Sequence, residues 1–188
     1  ALMATTLAAF RALQSEGLNA GDAKFVAGHS LGEYSALAMA GSLSISDAAK
    51  LLRIRGRAMQ NAVPVGIGAM AAILGLNYSD LVDIAKTAAK NEVCQAANDN
   101  DPSQVVVSGH KGAVERAIEI AKAAGAKRAV MLPVSAPFHS ELMAPASLEM
   151  KDALSTIPIQ EPFIPLVSNV KALAVTLPDE IRSLLVEQ

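Results

Sequence analysis

The sequence predicts an α/β fold in which a core with a parallel sheet carries a smaller inserted subdomain. Apolar residues alternate between helical spacing and short strand-like runs along most of the 188 residues. A glycine-flanked serine at residues 28–32 stands between such a run and a helical stretch. Residues 65–134 have a β-α-β-β-α-β order of their own. Together these three observations predict the α/β class and the insertion.

Composition limits the functional class. The chain is 52% hydrophobic with a mean hydropathy of +0.33, which is typical of a globular domain with a well-covered sheet. A net charge of −2 and 3% aromatic residues argue against nucleic acid as a partner. No window of 18 uninterrupted apolar residues predicts a membrane span. The single cysteine, Cys94, and the lack of a signal segment favour a reducing cytoplasm, with Cys94 as a buried small hydrophobe.

The first part of the chain predicts helix, strand and helix. Apolar residues recur at helical spacing from Leu2 to Leu13, and Gly17 ends that helix. Residues 24–28 form a short apolar run that predicts a strand, and residues 31–40 are an alanine-rich stretch that predicts a helix.

The next helix leads to a predicted domain boundary. Ser46 and Asp47 are expected to cap a helix that runs to Gln60. Pro64 and the glycines that follow it interrupt the pattern. We therefore place a boundary after residue 64.

The middle segment predicts a ferredoxin-like subdomain over residues 65–134. Its predicted strands and helices follow the order β-α-β-β-α-β, and a polar loop at 98–103 joins the two middle strands. The elements are strand 69–74, helix 79–90, strand 93–97, strand 104–108, helix 112–124 and strand 127–132. The larger α/β rhythm then returns with helix 140–157, strand 164–168 and helix 178–187. Residues 1–64 and 135–188 are therefore predicted to form a hydrolase-like parallel-sheet core.

The pentapeptide Gly28-His29-Ser30-Leu31-Gly32 has the pattern of a nucleophile elbow. The turn is sharp, so a Cβ at Gly28 or Gly32 is expected to clash with the neighbouring strand or helix. Ser30 Oγ would project from the sheet, and the N–H of Leu31 at the helix start would face a developing oxyanion. A plain chance match of G-x-S-x-G is the alternative, and the flanking strand and helix argue against it.

A serine nucleophile needs a base, and the chain has three histidines. His29 is the immediate neighbour of Ser30 and is expected to point away from it. His110 lies at a strand-to-helix junction, where a capping or surface role is expected. His139 follows a proline-bounded loop and precedes a helix, which makes it the best candidate for the base.

Five separated segments resemble the malonyl-CoA:acyl-carrier-protein transacylases and occur in that family's order. These segments are Gly28-His29-Ser30-Leu31-Gly32-Glu33-Tyr34-Ser35-Ala36-Leu37, Arg55-Gly56-Arg57-Ala58-Met59-Gln60, Gly68-Ala69-Met70-Ala71-Ala72, Ala96-Ala97-Asn98-Asp99-Asn100 and Pro137-Phe138-His139-Ser140. The resemblance implies that Ser30 carries malonyl as an ester and that His139 is general base and acid. It also implies that Arg55 binds the malonyl carboxylate, for which a guanidinium is well suited. A solvated position beside Arg53 and Arg57 is the alternative for Arg55.

Further roles follow from the same resemblance. Gln188, in Leu-Val-Glu-Gln, matches the residue whose backbone carbonyl orients the histidine, so no aspartate is required. Asn98 and Asn100 match asparagines that line the cleft and contact substrate, although a plain turn is the alternative for this loop. Phe138 matches a position where an aromatic ring favours malonyl over methylmalonyl. An extra methyl decides only about 1–3 kcal/mol, so this is a preference.

An α/β-hydrolase would instead need an acid between Ser30 and His139 in the chain. Aspartates fall in this interval, at positions that predict helix starts or a polar loop: Asp80, Asp83, Asp99 and Asp101. A serine esterase or thioesterase of this type therefore stays open, as does a non-catalytic module that binds a carrier protein.

The implied activity is transfer of malonyl from coenzyme A to the phosphopantetheine thiol of acyl carrier protein in fatty acid biosynthesis. It requires no metal and no cofactor, and its partners are malonyl-CoA and acyl carrier protein. An acidic carrier protein could dock on basic residues of the subdomain, for which a solvated surface is the alternative: Lys111, Lys122, Lys127 and Arg128.

Both ends of the chain stop within helical patterns, and members of the family are longer. The expectation is an internal fragment that lacks the family's N-terminal Gly-Gln-Gly turn, the source of a second oxyanion donor. A single donor would lower catalysis by about 10²–10³-fold.

Overall fold

The computed structural model describes residues 1–188, which divide into two compact units. Unit 1 comprises Ala1–Gly56 and Ser147–Gln188, and unit 2 comprises Arg57–Ala146. Both contain helices and a sheet, so the α/β class is confirmed. None of the helices combines the length and apolarity needed to cross a bilayer.

The helices and strands follow one another along the whole chain. The α-helices are α1 (Leu2–Ser15), α2 (Gly32–Met39), α3 (Ile45–Asn61), α4 (Tyr78–Ala89), α5 (Lys111–Ala123), α6 (Ala144–Ser155) and α7 (Pro178–Glu187). The strands are β1 (Val26–Ala27), β2 (Gly68–Leu74), β3 (Cys94–Asp101), β4 (Gln104–His110), β5 (Arg128–Met131), β6 (Leu166–Val167) and β7 (Ala174–Val175). Short 3-10 turns cover Ala20–Asp22 and Glu141–Met143.

The sheet of unit 1 has three strands in the order β1-β6-β7. β1 and β6 are parallel, with Val26 opposite Leu166, and β7 is antiparallel to β6. The helices cover this sheet with a buried core that includes Tyr34, Leu37 and Ile181. β7 has no counterpart among the predicted strands, because two residues are too few to show a period. The parallel pair matters for function, because it brings the carboxyl ends of β1 and β6 side by side.

The sheet of unit 2 is antiparallel, with its strands in the order β3-β4-β2-β5. Each half of the segment contributes a helix, α4 or α5, and the core between helices and sheet holds Ile73, Leu81, Val105 and Val114. Cys94 is buried in this core, as predicted, and burial raises the pKa of its thiol to about 11. The predicted insert, residues 65–134, lies within unit 2, which begins before it and ends after it.

Some element boundaries differ from the sequence prediction. The predicted loop at 98–103 is too long, because β3 continues to Asp101 and only Pro102 and Ser103 form the turn before β4. Asn98 pairs with Val106 through an irregular register. The end of β3 consists of Asn and Asp residues, which are rare in strands, so the sequence predicts a loop there. The backbone pairing with β4 stabilises it as a strand. The helix predicted over 140–157 is a 3-10 turn followed by α6, which ends at Ser155.

The predicted cap of α3 is also wrong. Ser44, rather than Ser46 and Asp47, precedes the helix, and its Oγ accepts from the N–H of Asp47 at 3.0 Å. The same hydroxyl donates to Asp47 Oδ2 at 2.7 Å. Because Ser44 Oγ satisfies the N–H of Asp47 in the first turn, the helix begins at Ile45, before both predicted cap residues.

Candidate active site

Ser30 lies in a tight turn between β1 and α2, in a left-handed backbone conformation with φ of 51°. Left-handed geometry is costly for a residue with a side chain, so surrounding contacts must hold it. The N–H of Glu33 donates to the carbonyl of Ser30 at 3.1 Å, and that of Gly32 donates to His29 at 2.9 Å. The N–H of Leu31, just before the first residue of α2, donates to no group in the protein. An unpaired N–H at a helix start is available to an anion.

The flanking glycines differ in what they require. A Cβ at Gly28 would stand 2.1 Å from the backbone carbonyl of Gly32, so only glycine fits there. A Cβ at Gly32 would meet nothing within 4 Å. The expected clash is therefore right for Gly28 and wrong for Gly32, because the side-chain position of Gly32 faces open space.

Arg55, on α3, is the buried cation of unit 1. Its side chain is 8% exposed, whereas Arg53 and Arg57 on the same helix are exposed. The Arg55 Nη2 atom donates to Ser30 Oγ and to Gln188 Oε1, each at 3.0 Å. The guanidinium also lies 5.9 Å from the ring centre of Tyr34. Its buried position differs from the solvated alternative that the sequence left open.

No carboxylate lies within ion-pair distance of Arg55. Burial lowers the pKa of the guanidinium, yet an arginine stays protonated at neutral pH. A buried cation that hydrogen-bonds only to neutral oxygens has the charge and the donors to pair with an anionic ligand.

Glu33 is a functional candidate that the sequence reasoning missed. It is 1% exposed in the first turn of α2, and its Oε2 accepts from Gln188 Nε2 and, at 3.4 Å, from the N–H of Asn169. Burial raises its pKa to about 7, against the opposing effects of these hydrogen bonds and of the Arg55 charge. The sequence did contain a signal for its burial, because Glu33 and the apolar Leu37 are four residues apart and so lie on the same face of α2.

Asn169 is the second residue missed. It follows β6 and its side chain bridges the elbow, since Oδ1 accepts from the N–H of Ser30 and Nδ2 donates to the carbonyl of Gly28, each at 2.7 Å. No local pattern marks this residue, because it lies 139 positions from Ser30 in the chain. Only the pairing of β1 with β6 brings the two together.

These contacts form a closed set that we call the elbow network: Ser30, Glu33, Arg55, Asn169 and Gln188. Gln188 therefore lies at the site through its side chain, whereas its expected histidine-orienting role concerns its backbone carbonyl and stays a prediction. Three of the predicted site residues, Ser30, Arg55 and Gln188, come together in unit 1, and Leu31 adjoins them.

The other predicted site residues belong to unit 2. His139 also has a left-handed backbone, with φ of 57°. Its loop is held on both sides, because Ser140 Oγ donates to the carbonyl of Pro137 at 2.7 Å and Phe138 packs against a small apolar cluster. Asn98 and Asn100 lie on β3, with Asn98 half-buried and Asn100 exposed.

A reciprocal contact ties the His139 loop to β3. The Nε2 atom of Gln95 donates to Glu141 Oε1 at 2.9 Å, and its Oε1 accepts from the N–H of Glu141 at 2.7 Å. His110 is the N-cap residue of α5, but its side chain makes no capping hydrogen bond and is half-buried, so the expected capping or surface role of the side chain is wrong. Its Nδ1 instead accepts from the N–H of Val93 at 2.9 Å. His29 is exposed. No group of three or more His, Cys, Asp or Glu side chains is suited to hold a metal ion.

The chain resembles known acyltransferases in sequence and in structure. The family described as "Acyl transferase domain" matches residues 1–181. The malonyl CoA-acyl carrier protein transacylase of Escherichia coli (strain K12) is 47% identical over 188 residues, covering 100% of this chain and 60% of that protein.

Two solved structures extend the likeness to the fold. The acyl-carrier-protein-S-malonyltransferase of Bartonella henselae has a TM-score of 0.95 and 53% identity, over 99% of this chain and 60% of its own. A malonyl-transacylase in complex with its type II PKS acyl-carrier protein has a TM-score of 0.95 and 42% identity, again over 99% and 60%. The chain thus spans about 60% of the length of these relatives.

Proposed function

The chain belongs to the acyl transferase domain family, and on that premise we propose that it serves malonyl transfer from coenzyme A to acyl carrier protein, in fatty acid biosynthesis. The observation that carries the proposal is Arg55, a buried cation without a carboxylate partner that lies 3.0 Å from Ser30 Oγ. A neutral acyl group has no carboxylate that could form an ion pair with this cation beside the nucleophile. A malonyl group has a free carboxylate one methylene group away from the thioester carbonyl, which can pair with the guanidinium.

In the first half-reaction, Ser30 Oγ attacks the thioester carbonyl and its proton passes to the imidazole of His139. The tetrahedral oxyanion accepts a hydrogen bond from the N–H of Leu31. The C–S bond then breaks, the sulfur takes the proton from His139, and coenzyme A leaves. Malonyl remains as an ester on Ser30.

In the second half-reaction, the phosphopantetheine thiol of the carrier protein gives its proton to His139 and attacks the ester carbonyl. The C–O bond breaks, and the proton returns from His139 to Ser30 Oγ. The result is ping-pong transfer with no metal or redox cofactor, since both thiols arrive on substrate or partner.

Arg55 binds the malonyl carboxylate with paired N–H groups throughout both steps. We assign Asn98 and Asn100 to hydrogen bonds with the substrate and Phe138 to a preference for malonyl over methylmalonyl. The backbone carbonyl of Gln188 is proposed to orient His139. The likeness to a transacylase whose structure contains its acyl-carrier protein supports such a partner for this chain. We propose a cytoplasmic location for this soluble metabolic reaction.

We further propose that the finer architecture is that of a hydrolase-like core, residues 1–64 and 135–188, with a ferredoxin-like insert, residues 65–134. The β-α-β-β-α-β element order and the antiparallel strand order β3-β4-β2-β5 support the insert. The parallel pair of β1 and β6 next to the serine turn supports the core.

The test is intact-protein mass after brief incubation with malonyl-CoA, followed by addition of acyl carrier protein. We expect a malonyl-sized adduct that is lost in Ser30→Ala, weakened in Arg55→Ala and cleared by the carrier protein. Hydrolysis of neutral acyl thioesters that Arg55→Ala retains in full would favour a serine thioesterase. Carrier binding without any adduct, in the intact protein that contains this chain, would favour a non-catalytic module.

A further inference from the structure

The serine turn and the turn after β6 lie at the same edge of the unit 1 sheet. β1 and β6 are parallel neighbours, so the residues that follow each strand emerge side by side. Ser30 follows β1 and Asn169 follows β6. The turn that bears Asn169 is itself held, because Ala172 donates to the carbonyl of Ser168 at 2.8 Å and Lys171 pairs with Glu180 at 2.7 Å.

One amide side chain spans the strained part of the elbow. Asn169 accepts from the N–H of Ser30 and donates to the carbonyl of Gly28, both at 2.7 Å, while its own N–H reaches Glu33 Oε2 at 3.4 Å. Ser30 has the φ of 51° that side chains disfavour, so the conformation needs support from outside the turn. The two side-chain bonds of Asn169 connect the residues on either side of His29.

We propose that Asn169 is a positioning residue that holds the backbone of Ser30 in its left-handed conformation and so aims Oγ at the acyl carbonyl. The role requires an acceptor and a donor on two separate atoms of one short side chain, and the asparagine amide supplies both through Oδ1 and Nδ2. Asn169 is exposed, so its replacement opens no cavity in the core. Replacing Asn169 is therefore expected to change the orientation of Ser30 Oγ and to leave the protein folded.

The inference rests on the proposed function, and the experiment separates the two. Asn169→Leu removes both side-chain bonds while keeping the branching and the number of non-hydrogen side-chain atoms, and Asn169→Asp keeps the acceptor but turns a second oxygen toward the Gly28 carbonyl. Both variants are made in the intact protein that carries this chain. The readouts are the rate constant of Ser30 malonylation by rapid-quench mass spectrometry, the KM for malonyl-CoA, and labelling by a fluorophosphonate.

We expect both variants to lose about 10–100-fold in the acylation rate constant, the effect of a displaced nucleophile, with KM changed by less than about threefold. Asn77→Ala is the matched control, because Asn77 also accepts a backbone N–H, that of Asp80 at 2.9 Å, but in unit 2. It should lower the Tm without slowing acylation.

Wild-type acylation rates in Asn169→Leu or Asn169→Asp would overturn the inference while leaving the proposed function intact. A protein that malonyl-CoA fails to acylate, but that fluorophosphonate labels in an Asn169-dependent manner, would refute the proposed function and support the inference. An intact protein labelled by neither reagent would refute both.

Discussion

The sharpest test of the proposed site is removal of the buried charge by Arg55→Ala. Arg55 is 8% exposed and touches Ser30 Oγ and Gln188 Oε1, each at 3.0 Å. The substitution removes the only cation of the elbow network and leaves the nucleophile without this neighbour. The prediction is a selective loss of activity toward an acyl group that carries a carboxylate.

The size of the loss follows from the contacts that a carboxylate would make. A hydrogen bond between charged groups contributes about 1.5–3 kcal/mol, and a guanidinium offers a carboxylate a pair of them. The sum, about 3–6 kcal/mol, corresponds to a fall of about 10²–10⁴-fold in kcat/KM for malonyl-CoA. Arg55→Lys keeps the charge without the paired geometry and should recover only part of this loss.

The assay compares malonyl-CoA with acetyl-CoA as donors, with acyl carrier protein as acceptor and the products followed by mass. Acetyl-CoA has no free carboxylate, so its kcat/KM reports any general damage from the lost contacts with Ser30 and Gln188. The expected result is a large fall for malonyl-CoA and a much smaller change for acetyl-CoA. An equal fall for both donors would refute the role of Arg55 as a carboxylate-binding residue.

Gly28→Ala places a Cβ 2.1 Å from backbone and should abolish soluble expression or acylation, whereas Gly32→Ala meets open space and should acylate within about threefold of wild type; the same mass assay decides between them. Burial raises the pKa of the Glu33 carboxyl from 4.5 to about 7, so the folded protein holds the carboxyl proton more tightly than the unfolded chain does. The stability that this protonation contributes is fully present below pH 4.5 and is lost as the pH rises through about 7. Urea unfolding should therefore find Glu33→Gln more stable than wild type by about 1–3 kcal/mol near pH 8 and similar to it near pH 4.5, and an unchanged difference across this range would contradict the buried carboxylate. Gln95→Leu removes both hydrogen bonds to Glu141, so amide hydrogen exchange across residues 139–143 should accelerate about tenfold or more. Unchanged protection would show that these two hydrogen bonds do not hold the His139 loop.

Much of the local structure was accessible from periodicity and turn chemistry. The predicted helix 178–187 is α7, and the β-α-β-β-α-β order of the middle segment is observed. Both depend on patterns within a few residues, where apolar spacing and capping act directly. The end of β3 was misjudged, because its polar residues lack a strand signal and are held by pairing with β4.

The two glycines of the serine turn also differ in how far the local sequence predicts their surroundings. The need for glycine at position 28 could be argued from the sharpness of the turn alone. Whether glycine is needed at position 32 depends on what surrounds its missing side chain, and there the expectation was wrong. A motif therefore predicts backbone geometry better than it predicts the space around each residue.

The α/β class, the serine turn and the resemblance to acyltransferases could all be predicted from the sequence, because they depend on short-range patterns and on motif order. Tertiary packing selects which of the three arginines on α3 is buried beside Ser30, and it adds Glu33 and Asn169 to the elbow network. For Asn169 the cause is the parallel pairing of β1 with β6, which brings it to Ser30 across 139 positions of the chain. No local pattern encodes such a contact, since the free energy that holds it comes from the packed sheet and its helices.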